Sequence, residues 1–479
     1  MNKLGLLTIT FFIAFTFGEK KELSLKDCIQ IGLTNGQDAK ILQHGYQADH
    51  WSYQAYRAGL SPQIILNGII PELDRSIARV SQDDGSYEFY MQSRSSSNIN
   101  LTLSQNIIAT GGNIFASSNI SREDEFGDTH TYNWRASPLV LGYTQPLFQY
   151  NHLKGSKNVE SLKMTIAKKQ YVENKENLAV MITSSFFDLY ISEQLLRNSE
   201  FNVTVNDTIY RISQGRYSVG KIAENELLQS ELAVMNSQNN YHRNKLNYER
   251  NYEKFKSLIG FYEKDEFIII LPEKLENFNI EPETAIALAK RNGSSLISWQ
   301  VQKLESEQAV QIAKKNQWLS ADMTARVGYN QTAQNVGDLY KKPLDSEFFS
   351  IGFEIPITRS KNEMDLLAAE ENKAKTDISA ELFETEFEQN IKYQVKEFQL
   401  LEAQLKVAII SDSIAVQQFK VAKERYLIGK TDVTTLFLAQ NGLDATHRQY
   451  YQTLKDYWVA YYQLRKMTLF DFENKTVIE

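Results

Sequence analysis

The sequence predicts a mixed α+β protein that is mainly helical and is built from two similar halves. Three observations predict this fold class. Two pairs of motifs recur in the same order along the chain, very long stretches lack glycine and proline, and stretches between them alternate apolar with polar residues. Gly and Pro are scarce overall, at 22 and 8 of 479 residues, which favours regular structure.

The composition limits the function classes. A hydrophobic fraction of 42% and a charged fraction of 23% are typical of an ordered protein. The net charge of −7 argues against a nucleic-acid partner, which requires a basic surface. The six histidines are scattered without metal-ligand spacing, and no nucleotide-binding or nucleophile motif is present. The sequence therefore predicts no metal, no cofactor and no enzymatic activity. Cys28 cannot form an internal disulfide, and we expect a small buried residue there.

The N-terminus has the composition of a secretory signal, predicted over residues 1–18. Lys3 is followed by an apolar run, and Thr16 and Gly18 are small residues at the −3 and −1 positions of a cut before Glu19. The alternative is a buried N-terminal helix. The run is shorter than the roughly 20 apolar residues that a membrane-spanning helix needs, and no later stretch reaches that length. Any membrane crossing must therefore use strands.

Two pairs of motifs indicate the internal repeat. A short amphipathic helix closed by Asn35-Gly36 matches one closed by Asn292-Gly293, and each leads through another helix to Leu-Ser. The hexamer Arg216–Lys221 matches Arg425–Lys430, at nearly the same distance after Pro146 and Pro356. Each half is therefore predicted as short helices, strands, a long helix, an RYxxGK turn and a returning long helix.

The long helices are predicted from what their sequences lack. No Gly or Pro occurs between Ser156 and Gln214 or between Ile357 and Ile428, which predicts rods of roughly 80 to 100 Å. The returning helices are expected to end at about Ile259 and Thr468. An apolar seam with steps of three and four residues is typical of a helical bundle. Its members are Phe387, Ile391, Val395, Phe398 and Leu405.

The stretches between the helices alternate with a period of two. Phe349, Ile351 and Phe353, for example, alternate with small or polar residues, as in a barrel with lipid outside and water inside. An ordinary sandwich is the alternative. Four strands are predicted in the first half: Ile64–Ile70, Asn98–Ile108, Asn113–Ser121 and Trp134–Gln145. Residues 110–113 are expected to form a hairpin turn, and residues 81–97, rich in Ser, Asp and Gly, a surface loop.

On these motifs the chain resembles the TolC-like outer-membrane efflux proteins (the outer-membrane factor family) over essentially all of its mature length. The resemblance implies a homotrimer in the outer membrane, with one shared transmembrane β-barrel continued by a long periplasmic α-helical barrel. It implies a passive conduit, opened by a periplasmic adaptor (membrane fusion) protein. The adaptor would link it to an inner-membrane transporter of the RND, ABC or MFS type, for efflux or type I secretion. The alternative is an exported helical-rod scaffold or adhesin that never enters the membrane.

The family pattern also implies the division of the chain. It gives a signal peptide (1–18), first-repeat short helices (19–60), strands and extracellular loops (61–148), a long helical hairpin (149–262), an equatorial linker (263–281), second-repeat short helices (282–319), strands (320–358), and a second long hairpin with the C-terminal tail (359–479). Two strands per half are the family pattern. The first half has room for more, and the extra hairpin either enlarges the barrel or folds over its mouth.

The resemblance places the functional residues at the two helical turns. The expected adaptor-binding residues are Arg216, Tyr217, Gly220, Lys221, Arg425, Tyr426, Gly429 and Lys430. The expected periplasmic gate residues are Glu224, Asn225, Glu226, Tyr426, Thr431, Asp432 and Thr435. The bland alternative is that these are turn residues with solvated charges.

Particular roles at the turns follow from residue type and from the family pattern. Tyr217 and Tyr426 are expected to offer an amphipathic surface suited to an interface. In the family pattern, a hydrogen bond between Glu226 and Tyr426 is expected to hold the closed state of the gate. Thr435 and Leu438 stand where a well-known member has two constricting aspartates. The nearby acidic residues Glu224, Glu226 and Asp432 are expected to supply acidic rings in their place.

Overall fold

The computed structural model describes residues 21–81, 83–126, 130–261, 267–272 and 279–479. The predicted signal peptide and most of the predicted linker 263–281 lie outside these residues. Contact density divides the chain into two compact units. The first unit consists of Met1–Gly45, Lys169–Gly293 and Glu386–Glu479, and the second of Tyr46–Lys168 and Ser294–Thr385. Both halves of the sequence contribute to each unit.

The helices confirm the internal repeat. Their bounds are α1 Leu25–Asn35, α2 Gln37–Gly59, α3 His152–Ser218, α4 Glu224–Ile259, α5 Pro282–Asn292, α6 Ser295–Asn316, α7 Ser360–Leu427 and α8 Val433–Thr468. The matched pairs have 11 and 11, 23 and 22, 67 and 68, and 36 and 36 residues. The returning helices end at the predicted Ile259 and Thr468. Among the described residues, no helix combines the length and the apolar character needed to cross a membrane.

The strands are where the two halves differ. Their bounds are β1 Lys21–Ser24, β2 Gln63–Ser81, β3 Tyr87–Ile107, β4 Gly112–Phe126, β5 Thr131–Leu147, β6 Phe267–Ile270, β7 Ser320–Ala333, β8 Leu344–Glu354, β9 Phe470–Asp471 and β10 Thr476–Val477. Strands β2 to β5 and β7 to β8 form one antiparallel sheet in the second unit, in the order β2-β3-β4-β5-β7-β8. The first half thus supplies four strands and the second half two.

One face of this sheet is apolar across its full width. The register pairs Leu141 with Val327 and Ile351 with Met323, and pleating places alternate residues of each strand on the same face. Three of these side chains are exposed in the single chain, with Leu141 at 49%, Val327 at 55% and Ile351 at 52%, and Met323 is partly exposed. The opposite face carries small and polar residues such as Thr324. The predicted alternation is confirmed, and an apolar sheet face of this size requires a covering.

The predicted surface loop 81–97 is wrong. Only a short turn separates β2 from β3, which begins at Tyr87. Residues 93–96 pair with β2 on one side and with β4 on the other, so their backbone hydrogen bonds are satisfied without apolar side chains. The Ser-rich composition of this segment is typical of a loop and gives no sign that its backbone pairs with two strands. The predicted hairpin turn between β3 and β4 is confirmed, and Gly111 there has a φ of 79°.

The core of the first unit contains the predicted seam of α7. Ile391 and Val395 are fully buried, and Phe398 and Leu405 nearly so. Cys28 is buried in the same cluster, as predicted, and burial raises the pKa of its thiol to about 12. Two small elements in this unit were not predicted. Strands β1 and β6 pair in parallel, and β9 and β10 form a short hairpin at the C-terminus.

A buried ion-pair network holds the C-terminal hairpin in place. The guanidinium of Arg465 lies 3.1 Å from a Glu176 carboxylate oxygen on α3 and 2.7 Å from one of Asp471 on β9. Burial raises the pKa of Asp471, but hydrogen bonds from Asn474 and the charge of Arg465 outweigh it and lower the pKa overall. The tail is therefore fixed to α3 through charges that are largely removed from water.

Candidate functional site: the paired helical turns

The two RYxxGK turns have the same backbone structure. In the first, the amide of Gly220 donates to the Tyr217 carbonyl at 2.9 Å and that of Lys221 to the Arg216 carbonyl at 2.8 Å. The second repeats both bonds, at 2.9 Å each, from Gly429 and Lys430 to Tyr426 and Arg425. This is the Schellman pattern of helix termination, which requires a left-handed residue. The two glycines supply it, with φ values of 70° and 74°.

The two turns lie in contact within the first unit. Nη2 of Arg216 donates to the carbonyl oxygens of Tyr426 at 2.9 Å and Leu427 at 3.1 Å. Its guanidinium carbon lies 4.8 Å from the centre of the Tyr426 ring. A cation at the C-terminus of a helix also interacts favourably with the helix dipole. Arg216 of the first turn therefore caps the end of α7 and covers the ring of Tyr426 in the second turn.

Tyr426 is buried, which corrects its predicted place on an exposed surface. The side chain is 2% exposed, and its hydroxyl forms a 2.9 Å hydrogen bond with Oγ of Ser213 on α3. The physical reason is that α3 lies beside α7 and supplies both a hydroxyl partner and the covering Arg216. Tyr217, the matching residue, is 42% exposed. The exposed apolar surface of the second turn comes instead from Leu427 and Ile428, at 44% and 66%.

The helices that leave the turns begin differently. Asp432 precedes α8, and its Oδ1 accepts a hydrogen bond of 2.7 Å from the amide of Thr435. That hydrogen bond lowers the pKa of Asp432. The matching position before α4 is Ala223, which has the same extended backbone conformation but no side chain able to cap. The amide of Glu226 donates instead to the Ala223 carbonyl at 3.1 Å, so α4 begins with a backbone hydrogen bond where α8 begins with a side-chain cap.

The remaining predicted residues surround the turns. The exposed ones are Lys221, Glu224, Asn225, Arg425, Lys430, Asp432 and Thr435, and those of intermediate exposure are Arg216, Glu226 and Thr431. Within the described chain, the hydroxyl of Tyr426 bonds to Ser213 and not to Glu226. A Glu226 contact with a neighbouring copy stays a prediction. Leu438, at the position of one family aspartate, is 69% exposed.

A polar layer between α3 and α8, several helical turns away from the RYxxGK turns, was missed by the sequence reasoning. The Asp444 carboxylate on α8 accepts from Asn198 at 2.6 Å and from Asn202 at 3.0 Å, both on α3. Gln440 donates to Asn202 at 2.8 Å. Asn206 lies one turn further along α3. Together with Asn202, Gln440 and Asp444 it lines a cavity of about 320 Å³. The spacing of four residues between the asparagines was the available signal, since it places all three on one face of α3.

The first hairpin also has a polar seam between its two helices. Buried small or polar residues recur every seven positions on α3: Ser185, Ser192, Ser199, Asn206 and Ser213. On α4, Ser230 and Ser237 are spaced in the same way, and Asn244 follows seven residues later and donates to the Leu195 carbonyl at 3.2 Å. The second hairpin has buried alanines at the matching positions, which are Ala408, Ala415 and Ala422 on α7 and Ala439 on α8. Its helices contribute Phe419, Leu436 and Leu443 to an apolar cluster. Among the described residues, no three His, Cys, Asp or Glu side chains cluster as metal ligands.

Comparison with known proteins gives a clear result for the fold. No family model matches the chain. No curated protein matches it either. Solved structures do match over nearly the whole length. The CmeC outer-membrane channel of Campylobacter jejuni has a TM-score of 0.66 at 15% identity, covering 98% of this chain and 94% of that one.

Two further solved structures agree. The outer-membrane protein VceC of Vibrio cholerae gives a TM-score of 0.65 at 12% identity, with 95% and 97% of the two chains covered. The open state of the MtrE outer-membrane channel of Neisseria gonorrhoeae gives 0.61 at 12% identity, with 93% and 88% covered. The chain therefore has the mixed, mostly helical fold of these outer-membrane channels, and the predicted TolC-like fold is confirmed.

Proposed function

We propose that the protein is the outer-membrane channel of a tripartite efflux pump or type I secretion system, acting as a passive conduit from periplasm to exterior. The observation that carries this proposal is the six-stranded sheet with one exposed apolar face in a chain with the fold of outer-membrane efflux channels. Such a face is stable in lipid and costly in water. An exported scaffold or adhesin has no use for it.

The open edges of the sheet support a trimer. Among the described residues, strands β2 and β8 each pair on one side only, and lipid does not tolerate unpaired backbone groups. Closure therefore requires β8 of one copy to pair with β2 of the next around a cyclic axis. Three copies of a six-stranded sheet give eighteen strands, a size at which barrels leave an aqueous channel. The extra hairpin β2–β3 thus enlarges the barrel in this proposal.

The turns support the assignment of an adaptor-binding site. Arg425, Lys430, Lys221 and Tyr217 are exposed and offer charged and amphipathic groups to the carboxylates or carbonyls of an adaptor hairpin. The adaptor dilates the closed turns, and energy comes from an inner-membrane RND, ABC or MFS transporter that it links to the channel. The gate is a rearrangement between packed states and involves no chemistry.

Single-channel recording in planar bilayers tests the gate. The purified trimer carrying Glu226→Ala is expected to conduct more than the wild type, because a polar contact or acidic ring of the closed state is removed. Glu231→Ala, which removes a carboxylate further along α4, is the matched control and is expected to conduct as the wild type does. Tyr426 is unsuitable here because its loss disrupts the packing of one protomer.

The outcomes separate the gate from the channel. Unchanged conductance of the Glu226→Ala variant would remove Glu226 from the gate and leave the conduit intact. A mature protein that stays dispersed and monomeric in buffer without detergent, and forms no channels, would overturn the conduit itself and favour the scaffold.

A further inference from the structure

The hairpin formed by β2 and β3 extends beyond the rest of the sheet. Within the described ranges, which leave out 127–129, strand β4 pairs with β3 as far as Ser93, opposite Phe126, whereas β2 and β3 pair on to Ser81 and Tyr87. The last part of the hairpin is therefore a two-stranded ribbon. Its residues are not needed to complete the sheet, and a long exposed ribbon of this kind requires a stabilising partner.

The two faces of this ribbon differ sharply in charge. The register pairs Arg75 with Ser93, Ile77 with Met91, and Arg79 with Phe89. All lie on the face that carries Leu101 and Leu103 further down β3, because β3 alternates without interruption. That face has arginines and apolar side chains. The opposite face has the carboxylates, which are those of Glu72, Asp74 and Glu88.

The apolar residues of the first face are unusually exposed. Leu73 is 75% exposed, Ile77 and Phe89 69% each, and Met91 62%. A bulge in β2 between Ile69 and Glu72 shifts the alternation by one residue and so keeps Leu73 and Ile77 on the same face as Leu66. Leu73 and Ile77 thus share a face with Leu66, and Ser93, Ser95 and Ser97 of β3 lie on that face between Ile99 and the ribbon.

The arginines on this face lack acidic partners. Nε of Arg75 donates to Sδ of Met91 at 3.1 Å, and the guanidinium of Arg79 stacks 3.8 Å from the centre of the Tyr87 ring. Within the part of the chain that the structure describes, neither guanidinium pairs with a carboxylate. Arg94, on the opposite face, lies 3.3 Å from Asp74 and 3.6 Å from Glu123. The positive charge of the ribbon is neutralised on one face only.

The distance along β2 fixes the level of the two arginines in a membrane. Ile64 begins the apolar face, and Arg75 follows it by 11 residues. At about 3.3 Å per residue and a strand tilt of about 40°, this step spans roughly 25 to 30 Å across the bilayer. The apolar band of an outer-membrane barrel is about 25 Å tall. Arg75 therefore lies at the outer edge of the band and Arg79 beyond it, where lipid phosphates reside.

We propose that this face of the β2–β3 ribbon binds phosphorylated lipid headgroups of the outer leaflet, an inference that rests on the membrane insertion proposed above. Arg75 and Arg79 donate to phosphate oxygens, which the planar guanidinium matches in two-pronged geometry. Leu73 packs against the lipid below the headgroups, and Ile77 and Phe89 lie beside the two arginines at the level of the headgroups. The acidic opposite face is repelled by the same phosphates, so the ribbon binds with one face only.

Lipid binding by the purified full-length trimer tests the proposal. Native mass spectrometry would count the molecules of bisphosphorylated lipid A bound in detergent, against the same lipid stripped of its phosphates. The double variant R75Q/R79Q is expected to bind bisphosphorylated lipid A about 30-fold more weakly than the wild type, and no better than it binds the stripped lipid. R75K/R79K is expected to bind between these limits.

The control removes equal charge from the same edge of the sheet. K341Q/K342Q changes the connection between β7 and β8 and is expected to bind like the wild type. Equal binding of bisphosphorylated lipid A by the wild type and R75Q/R79Q would overturn the proposal. Conductance of the same trimers in planar bilayers tests the channel function separately from lipid binding. Trimers that conduct but do not bind phosphate selectively would refute only the lipid-binding role of the ribbon. Phosphate binding without channels would refute only the conduit.

Discussion

The two long hairpins have the same backbone but different interiors. Helices α3 and α7 differ by one residue in length, α4 and α8 have 36 residues each, and both turns end in the same pair of hydrogen bonds. Yet α3 and α4 meet through serines and asparagines, and α4 starts without a side-chain cap. The second hairpin is held by an apolar layer, the Asp432 cap and the buried Tyr426. Repeated sequence thus fixed the path of the chain, while the partners of each side chain determined how firmly it is held.

The largest expected difference between the hairpins concerns the two matched tyrosines. Tyr426→Ala removes a buried ring and is expected to destabilise the second turn by about 3 to 5 kcal/mol. Tyr217→Ala removes a half-exposed ring and is expected to change stability by no more than about 0.5 kcal/mol. Amide hydrogen exchange across the two turns measures both. Similar losses in the two variants would show that the hairpins are anchored equally.

Substitutions of Gly220 and Gly429 are expected to have equal effects, because the backbones of the two turns are the same. The hairpins would then differ only in their side-chain contacts. Gly220→Val and Gly429→Val each place a β-branched residue in left-handed backbone, at about 1 to 3 kcal/mol. An added Cβ meets nothing within 4 Å at Gly220 and only the Arg216 guanidinium at 3.9 Å at Gly429, so no steric difference intervenes. Weakened crosslinking of both variants to an adaptor is expected. Gly→Asn at either site serves as the milder control, since Asn tolerates this conformation. A large difference between the two valine variants would refute the shared backbone.

The smallest expected effect concerns the helix caps. Asp432→Ala is expected to destabilise the first turn of α8 by about 1 kcal/mol, and Ala223→Asp to stabilise that of α4 by a similar amount. Because the pKa of Asp432 is lowered in the folded protein, its cap contributes fully above the unfolded value of about 4. The contribution is lost as the pH falls through the folded pKa.

The pH dependence has a matched control. Asp432→Asn keeps a capping side chain that does not titrate, so the variant is expected to keep the same exchange protection of α8 in acid as at neutral pH. Protection that falls equally in the wild type and in Asp432→Asn below pH 4 would assign the loss to other groups.

The sequence predicted the helices well because their signals are local. The absence of Gly and Pro, the Gly220 and Gly429 breakers and the seam of α7 each depend on neighbours in sequence. The predictions failed where the structure depends on partners that are distant in sequence. Residues 93–96 have loop-like composition but lie between two strands, and Tyr426 has the same motif as Tyr217 but a different neighbour, Ser213. Long-range partners of this kind leave no local pattern.

The pairing of β5 with β7 has a consequence for biogenesis. Residues 148–319 separate these neighbours in the chain, so the edge of β5 stays open until the second half of the polypeptide has arrived. Contacts of such high sequence separation form slowly. During that interval the first four strands expose an apolar face and an unpaired border, the combination that invites aggregation. The incomplete sheet is therefore the region of the chain most exposed to aggregation until β7 pairs with β5.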